Sequence, residues 1–332
     1  MKVANSTMPD CTTVTGGAER TCGSEARRQE AGPSIILRVA SPPITFFLLG
    51  AAKSGTTSLH GYLNEHPRIS MAWVKETNFF VDRNRRVNTR EALDAQFGGT
   101  AEIVHRGDSS HLHLSSPECA ARIRRECPDA RFLLLLRDPV ERAHSLYLWN
   151  RRSGSELSGT FERALALEPT RSASERFKRR CLDHPDMYRY VESGRYHTQL
   201  ERYFELFPVD RFHIRTFEEF VADPERELLQ IHRFLGLEPT PLTAYPNHLP
   251  NLGIPPLAPI AHRISNSYNR GSAWRVRLAH ELRRPQKKVP PLKPETRERL
   301  RQELTPSVRN LSSLLGRPAM WWLGGIEDRQ QT

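Results

Sequence analysis

The sequence predicts an α/β fold, a three-layer α/β/α sandwich around a central parallel sheet. Two nearly continuous apolar segments, residues 44–49 and 131–136, have the length and composition of strands buried on both faces. Residues 211–216 predict a third strand. Because a segment with helical signals follows each strand, the strands are expected to lie parallel, with helices on both faces of the sheet.

The first strand ends in Gly50, and residues 56–65 then predict a helix that stops before Pro67. Residues 1–42 are polar, rich in Ser, Thr and Gly, and lack apolar periodicity. They predict a disordered N-terminal tail, with Ser-Pro-Pro at 41–43 as its boundary.

The later strands are also followed by helix signals. Asp-Pro at 138–139 predicts an N-cap and first helical turn after the second strand. Residues 218–235 follow the third strand with apolar spacing near 3.6, around a turn at Asp-Pro 223–224. A last helix is expected at about residues 294–315.

One folded domain is expected over residues 43–325, and its charge is uneven. Residues 239–293 predict an irregular, basic excursion, with seven prolines between 239 and 260. The chain carries a net charge of +11, and residues 261–309 hold 13 Lys and Arg against 4 Asp and Glu. A basic surface favours anionic partners such as nucleotide phosphates, acidic glycans, nucleic acid or anionic membranes. A solvated helical face explains the same charge equally well.

The five cysteines are odd in number and form no CxxC pair, which argues against a disulfide framework or a zinc site and fits a reducing compartment. No signal-peptide pattern begins the chain. The longest apolar run near the start, residues 44–49, is far shorter than the roughly 20 residues that cross a bilayer. A cytoplasmic location is therefore expected.

The most informative segment is Gly-Ala-Ala-Lys-Ser-Gly-Thr-Thr-Ser-Leu at 50–59, between the first strand and its helix. A strand-to-helix turn directs backbone N–H groups and the helix dipole at one point, which makes an anion site. Gly55 lets the backbone approach a phosphate closely, while the following hydroxyl residues add donors. The segment predicts a phosphate-binding loop.

This loop differs from that of nucleotide triphosphatases, GxxxxGK[ST]. Lys53 lies three residues after the first glycine, and Thr56 takes the place after the second. No hydrophobic strand ends in a suitable magnesium-binding aspartate. Hydrolysis of ATP or GTP is therefore disfavoured.

Lys-Ser-Gly-Thr-Thr at 53–57 resembles the 5′-phosphosulfate loop of sulfotransferases that use PAPS (3′-phosphoadenylyl sulfate). In that family the second donor element is a strand ending in Arg, followed by a helix with a Ser. Residues 133–147, Leu-Leu-Leu-Leu-Arg-Asp-Pro-Val-Glu-Arg-Ala-His-Ser-Leu-Tyr, are closely similar to it. The resemblance implies that Arg137 and Ser145 hold the 3′-phosphate, since a guanidinium and a hydroxyl can clamp one phosphate. The donor-binding residues implied are Lys53, Ser54, Gly55, Thr56, Thr57, Ser58, Arg137 and Ser145.

The resemblance extends over about 290 residues. Lys-Glu-Thr-Asn-Phe-Phe at 75–80 is similar to the segment that carries the acidic base in the carbohydrate-type, heparan-sulfate-sulfotransferase-like branch. Residues 190–208 and 234–237 look like later landmarks of that branch. Two features depart from it: no Lys-Gly-Arg loop is found near the C-terminus, and residues 107–112 have Ser and His where that branch often has Lys and Pro.

Two residues compete for the role of base that takes the acceptor proton. Glu76 matches the carbohydrate-type position, and burial in an aromatic setting is expected to raise its pKa toward the working range. A surface Glu76 paired with Lys75 is the structural alternative. His111 falls where the small-molecule branch has its catalytic histidine, and histidine has a suitable pKa without tuning. His113 is expected either to pack in the core or to contact a residue of the site from behind.

The resemblance implies a nucleotide-kinase-like fold and sulfuryl transfer from PAPS to a hydroxyl or amine of a carbohydrate, glycolipid or natural product. Lys53 would neutralise the leaving 5′-phosphate. No metal is required, no nucleic-acid partner is expected, and the acceptor cleft is expected near Glu76, His111 and residues 261–293. Two alternatives stay open: a P-loop kinase using ATP, and a non-catalytic protein that binds anionic glycans.

Overall fold

The computed structural model describes residues 43–83, 85–99, 102–241, 290–317 and 322. The predicted tail at 1–42 and nearly all of the predicted excursion at 239–293 lie outside the described residues. The domain boundaries therefore remain predictions.

The centre of the fold is a five-stranded sheet in which every neighbouring pair is parallel. The strand order is β2-β3-β1-β4-β5, so β1 lies in the middle, between β3 and β4. The α/β prediction is confirmed. The strands are β1 (Phe46–Gly50), β2 (Ile69–Met71), β3 (His105–Asp108), β4 (Arg131–Leu136) and β5 (Phe212–Thr216).

Two separate apolar cores flank this sheet, one on each face. Successive side chains of a strand point to opposite faces, and β1 follows this rule. Phe47 and Leu49 enter one core, while Phe46 and Leu48 enter the other. All four are completely buried, which explains the nearly continuous apolar sequence of this strand.

Helices from different parts of the chain complete the two outer layers. Leu59 and Ile231, from two of these helices, belong to the core that contains Phe46. Leu146 and Leu304, from two others, belong to the other core. The helices are α1 (Thr56–Asn64), α2 (Arg90–Asp94), α3 (Leu112–Ser115), α4 (Cys119–Glu126), α5 (Pro139–Ser153), α6 (Phe161–Ala173), α7 (Glu175–Arg180), α8 (Tyr196–Phe204), α9 (Phe217–Ala222), α10 (Pro224–Leu235) and α11 (Pro294–Leu315).

Helix starts follow the predicted capping chemistry. Asp138 accepts hydrogen bonds from Val140 N and Glu141 N at the start of α5. Asp223 caps α10 and separates it from α9, as the Asp-Pro turn predicted. The predicted last helix, 294–315, is also confirmed.

Two strands were missed by the sequence analysis, β2 and β3. They pair with each other in parallel, and β3 also pairs with β1. A Cβ atom at Gly107 of β3 would collide with the side chains of Phe46 and Met71. Only glycine allows β3 to approach its neighbours so closely.

Candidate active site

The predicted site residues converge at the carboxyl edge of the sheet. Strands β3 and β2 lie on one side of β1 in the sheet, and β4 and β5 lie on the other. The chain fills the first side before it crosses to the second, so the strand order has a switch point at β1. In open α/β sheets, ligands bind in the crevice at such a switch point. The phosphate loop follows β1, Arg137 follows β4, and Asp108 ends β3.

The phosphate loop has the conformation that an anion site needs. Gly55 has a left-handed φ of 83° and stands at the N-cap of α1, where no described side chain caps the helix. The N–H groups of the first turn are therefore available to an anion. Ser54 is completely buried, and its Oγ has no hydrogen-bond partner among the described residues. An anion enclosed by the loop would give this hydroxyl a partner.

Arg137 joins the two predicted donor motifs. Its Nη1 donates a hydrogen bond of 3.0 Å to the backbone oxygen of Lys53. Its guanidinium carbon lies 4.8 Å from the ring centroid of Phe217. The same ring lies against Gly55, where an added Cβ would come within 3.1 Å of it. Phe217 therefore supports both the loop and the arginine.

Lys53 lies in a crowded positive environment. Its Nζ is 4.3 Å from the ring centroid of Trp149, a cation–π contact. Burial, together with the charges of Arg152 and Arg137, lowers the pKa of Lys53 to about 8. A polyanionic ligand would relieve this repulsion.

The two candidate bases contact each other. Glu76 Oε2 accepts hydrogen bonds from the backbone N–H of His111, at 2.8 Å, and from His111 Nδ1. Glu76 Oε1 accepts one from Lys75 Nζ at 3.1 Å. The side chain of Glu76 is only 16% exposed, so the surface alternative is wrong, although its pairing with Lys75 is real.

The expected rise in the pKa of Glu76 is wrong. Burial acts in that direction, but the charges of His111 and Lys75 and the hydrogen bonds from His111 outweigh it and hold the pKa well below its usual range. The environment is ionic, and not the aromatic one that the sequence predicted. Glu76 is therefore a carboxylate at neutral pH.

The remaining polar atoms of Glu76 and His111 face different parts of the site. Lys75 Nζ also lies 3.4 Å from Thr56 Oγ1 at the start of α1, so Glu76 Oε1 faces the phosphate loop. The Nε2 atom of His111 instead lies 3.1 Å from Met187 Sδ. His113 is completely buried between the rings of Phe47 and Phe80, with ring centroids 6.0 and 5.4 Å away, and its prediction as a packing residue is confirmed.

The remaining predicted donor residues have no described contact with Arg137. Ser145 is half-buried in the second turn of α5, and Thr57 and Ser58 lie in the first turn of α1. Trp149, Arg152 and Phe217 were missed by the sequence analysis. The first two follow Ser145 by four and seven residues, so helical periodicity could have placed them on its face.

A cavity of about 320 Å³ lies beside this centre. It shares Asp186 with a smaller gap that reaches His111 and the loop residues Ala51 and Ala52. Its lining contains both basic and acidic side chains. These are Arg83, Arg171, Lys178, Arg189, Asp82, Glu118 and Asp186.

The chain is similar in sequence and fold to known proteins of one family. The family model of the sulfotransferase domain matches residues 43–249, more than half of the chain. The chain belongs to the sulfotransferase family. The chain is 26% identical in sequence to a sulfotransferase of known crystal structure from Alicyclobacillus acidocaldarius, with a TM-score of 0.63, over 85% of this chain and 99% of the other.

Curated relatives belong to the carbohydrate-type branch. The bifunctional heparan sulfate N-deacetylase/N-sulfotransferase of Drosophila melanogaster is 24% identical over 61% of this chain and 20% of its own length. The heparan sulfate glucosamine 3-O-sulfotransferase 5 of Mus musculus is 25% identical over 58% and 53%. The resemblance predicted from the motifs is confirmed. The chain covers only about a fifth to a half of these relatives.

Within the described ranges, no helix combines the length and apolarity needed to cross a membrane. In the same part of the chain, no three His, Cys, Asp or Glu side chains group as ligands for a metal ion. Independence from metal ions stays a prediction.

Proposed function

We propose that this sulfotransferase transfers the sulfuryl group of PAPS to a hydroxyl or amine of a carbohydrate, glycolipid or natural product. The observation that carries the proposal is the chain of contacts from Glu76 Oε1 through Lys75 Nζ to Thr56 Oγ1. It puts a carboxylate next to a loop built for an anion. The names of the heparan sulfate relatives support a carbohydrate acceptor.

The residues at the loop fit the donor. PAPS, when bound, supplies an activated sulfuryl group and a phosphate leaving group. The free N–H groups of α1 and the buried hydroxyl of Ser54 suit its 5′-phosphosulfate. Lys53 stabilises the charge that develops on the leaving phosphate. Arg137 and Ser145 take the 3′-phosphate.

Glu76 acts as the base in this proposal. The acceptor oxygen or nitrogen forms a bond to sulfur, the bond from sulfur to the 5′-phosphate oxygen breaks with its electron pair on the phosphate, and the acceptor proton goes to Glu76. The low pKa of Glu76 keeps it ionised, and His111 holds the carboxylate in place. A carboxylate with so low a pKa is a weak base, but the acceptor proton becomes strongly acidic as the acceptor bonds to sulfur, so Glu76 can take it at that point.

Mass spectrometry of acceptor mixtures tests the function. Incubation with PAPS is expected to add the mass of one SO3 group to a carbohydrate, with release of PAP, the desulfated donor. A separate incubation with ATP is expected to leave the mixture unchanged. Phosphorylation by ATP would establish the kinase alternative. Salt-sensitive glycan binding without turnover of PAPS would establish the non-catalytic one.

Replacing Arg137 with alanine tests the donor site. We expect PAP to bind about 2–4 kcal/mol more weakly, because a charge-assisted phosphate contact is lost. ADP lacks the 3′-phosphate and is expected to lose little affinity. Calorimetry with both nucleotides measures the difference.

Arg211→Ala is the matched control for Arg137→Ala. Arg211 precedes β5 at the opposite, amino edge of the sheet and contacts Asp129. Its loss is expected to leave both affinities unchanged. Equal losses for PAP and ADP in Arg137→Ala would refute the assignment of Arg137 to the 3′-phosphate.

We further propose a cytoplasmic location. Three cysteines of the described residues are free thiols, and burial raises the pKa of Cys119 and of Cys127, the latter to about 11. Thiols of this kind are kept reduced in the cytosol. Cys11 and Cys22 lie outside the described residues.

A further inference from the structure

A second buried carboxylate lies behind the candidate base. Asp108, the last residue of β3, is completely buried. Within the described ranges, no Lys, Arg or His forms an ion pair with it. Its partners are two hydroxyls, those of Thr77 and Ser110, which are also completely buried. A buried carboxylate is costly unless its hydrogen bonds are satisfied.

Both carboxylate oxygens of Asp108 are used. Thr77 Oγ1 donates to Oδ2 at 2.5 Å, and Ser110 Oγ donates to Oδ1 at 2.8 Å. The two hydroxyls also accept from the backbone: Ser110 Oγ from Asn78 N at 3.1 Å, and Thr77 Oγ1 from Phe79 N at 3.3 Å. One carboxylate thus orders two separate chain segments.

These two segments carry the candidate base and its partner. Thr77 follows Glu76 directly, and Ser110 precedes His111 directly. Asp108 is itself fixed, because β3 lies close to its neighbours at Gly107. The carboxylate therefore connects the rigid sheet to both members of the Glu76–His111 pair.

We propose that Asp108 is a positioning residue for sulfuryl transfer, which sets the Glu76–His111 contact through Thr77 and Ser110. The inference rests on the proposed function, in which Glu76 takes the acceptor proton. A displacement of about 1 Å at a reacting group costs roughly a hundredfold in rate. A carboxylate with two fixed hydroxyl partners prevents such displacement.

Asp108→Asn is the decisive variant, because the amide keeps the shape but replaces one acceptor oxygen with a donor. One of the two hydroxyls then loses its acceptor. We expect kcat to fall by about ten- to a hundredfold, with acceptor KM and the Kd of PAP within about twofold of wild type. The ring ¹⁵N signals of His111 are expected to shift, because its contact with Glu76 changes.

A matched pair at Thr77 separates the hydroxyl from the shape of the side chain. Thr77→Val keeps the shape without the hydroxyl and is expected to reproduce the losses of Asp108→Asn. Thr77→Ser keeps the hydroxyl and is expected to retain most of kcat. Equal kcat in the two variants would contradict the proposal.

Glu227→Gln controls for the loss of a buried carboxylate as such. Glu227 pairs with Arg215 at 3.1 Å, on α10 and away from the Glu76–His111 pair. The Glu227→Gln variant is expected to have a lower Tm, with kcat and the His111 signals unchanged. The proposal is overturned if Asp108→Asn behaves like Glu227→Gln.

The NMR measurement does not depend on turnover. If the wild-type protein transfers no sulfuryl group from PAPS, the proposed function fails, while the His111 signals still report whether Asp108 sets the pair. If the His111 signals shift in Asp108→Asn but the wild-type protein shows no turnover, Asp108 does set the Glu76–His111 contact. Its proposed role in sulfuryl transfer is then refuted.

Discussion

Replacing Glu76 with glutamine is expected to reduce kcat by roughly a hundred- to ten-thousandfold, the range for loss of a general base. The amide cannot take the acceptor proton, whereas the phosphate loop is untouched. The Kd of PAP is therefore expected to stay close to the wild-type value. Rapid-quench kinetics with PAPS and calorimetry with PAP measure the two quantities.

Comparison of Glu76→Gln with His111→Ala decides which of the two residues is the base. His111 contacts Glu76 through both its backbone N–H and Nδ1, and alanine keeps the first contact. We expect a smaller loss in kcat, or mainly a rise in acceptor KM. The reverse order of effects, in folded variants with normal PAP affinity, would make His111 the base. Similar large losses would show that the pair acts as a unit.

Lys53→Ala is expected to lower kcat by a factor on the order of a hundred or more, because the charge that stabilises the leaving phosphate is lost. Lys53→Arg is expected to recover only part of the lost kcat, since a planar guanidinium does not replace a compact ammonium. Arg211→Ala, which removes a cation paired with Asp129 at the opposite edge of the sheet, is the control and is expected to be silent. Near-normal turnover in Lys53→Ala would refute the mechanism.

The pH dependence of PAP binding gives a second measure of Lys53. The pKa of about 8 means that Lys53 is charged below that pH and neutral above it. Bound phosphate favours the charged form and raises the pKa, so affinity for PAP is expected to fall as the pH rises through 8. Calorimetry on Lys53→Ala between pH 7 and pH 9 is expected to lose this dependence. An unchanged pH profile would assign it to another group.

The sequence was most informative where local chemistry decides the structure. Strand β4 was predicted with its correct bounds because its apolar run is continuous and a proline starts the next helix. Strand β3 was missed because His-Arg-Gly-Asp contains no apolar side chain. Its strand conformation depends on close packing of Gly107 against Phe46 and Met71, and such long-range contacts leave no local pattern.

The same distinction holds for the site. The phosphate loop and Arg137 were recognisable, since each belongs to a short motif. The contact between Glu76 and His111 was not, because it joins residues 35 positions apart on segments that follow two unrecognised strands. Burial alone, considered without that contact, suggested a raised pKa for Glu76. The ion pair with His111 reverses the direction of the pKa shift.

The parallel sheet has a consequence for how the chain folds. In its registers, Phe46 pairs with Gly107 and with Arg131, and Phe132 pairs with Phe212, so no strand pair forms from a local hairpin. Sheets with such distant pairings fold slowly. The loop is held by β4 through the bond from Ala51 N to Leu135 O, of 2.7 Å. We therefore expect a nascent chain to complete the proposed nucleotide site only after β4 has been synthesised and has docked on β1.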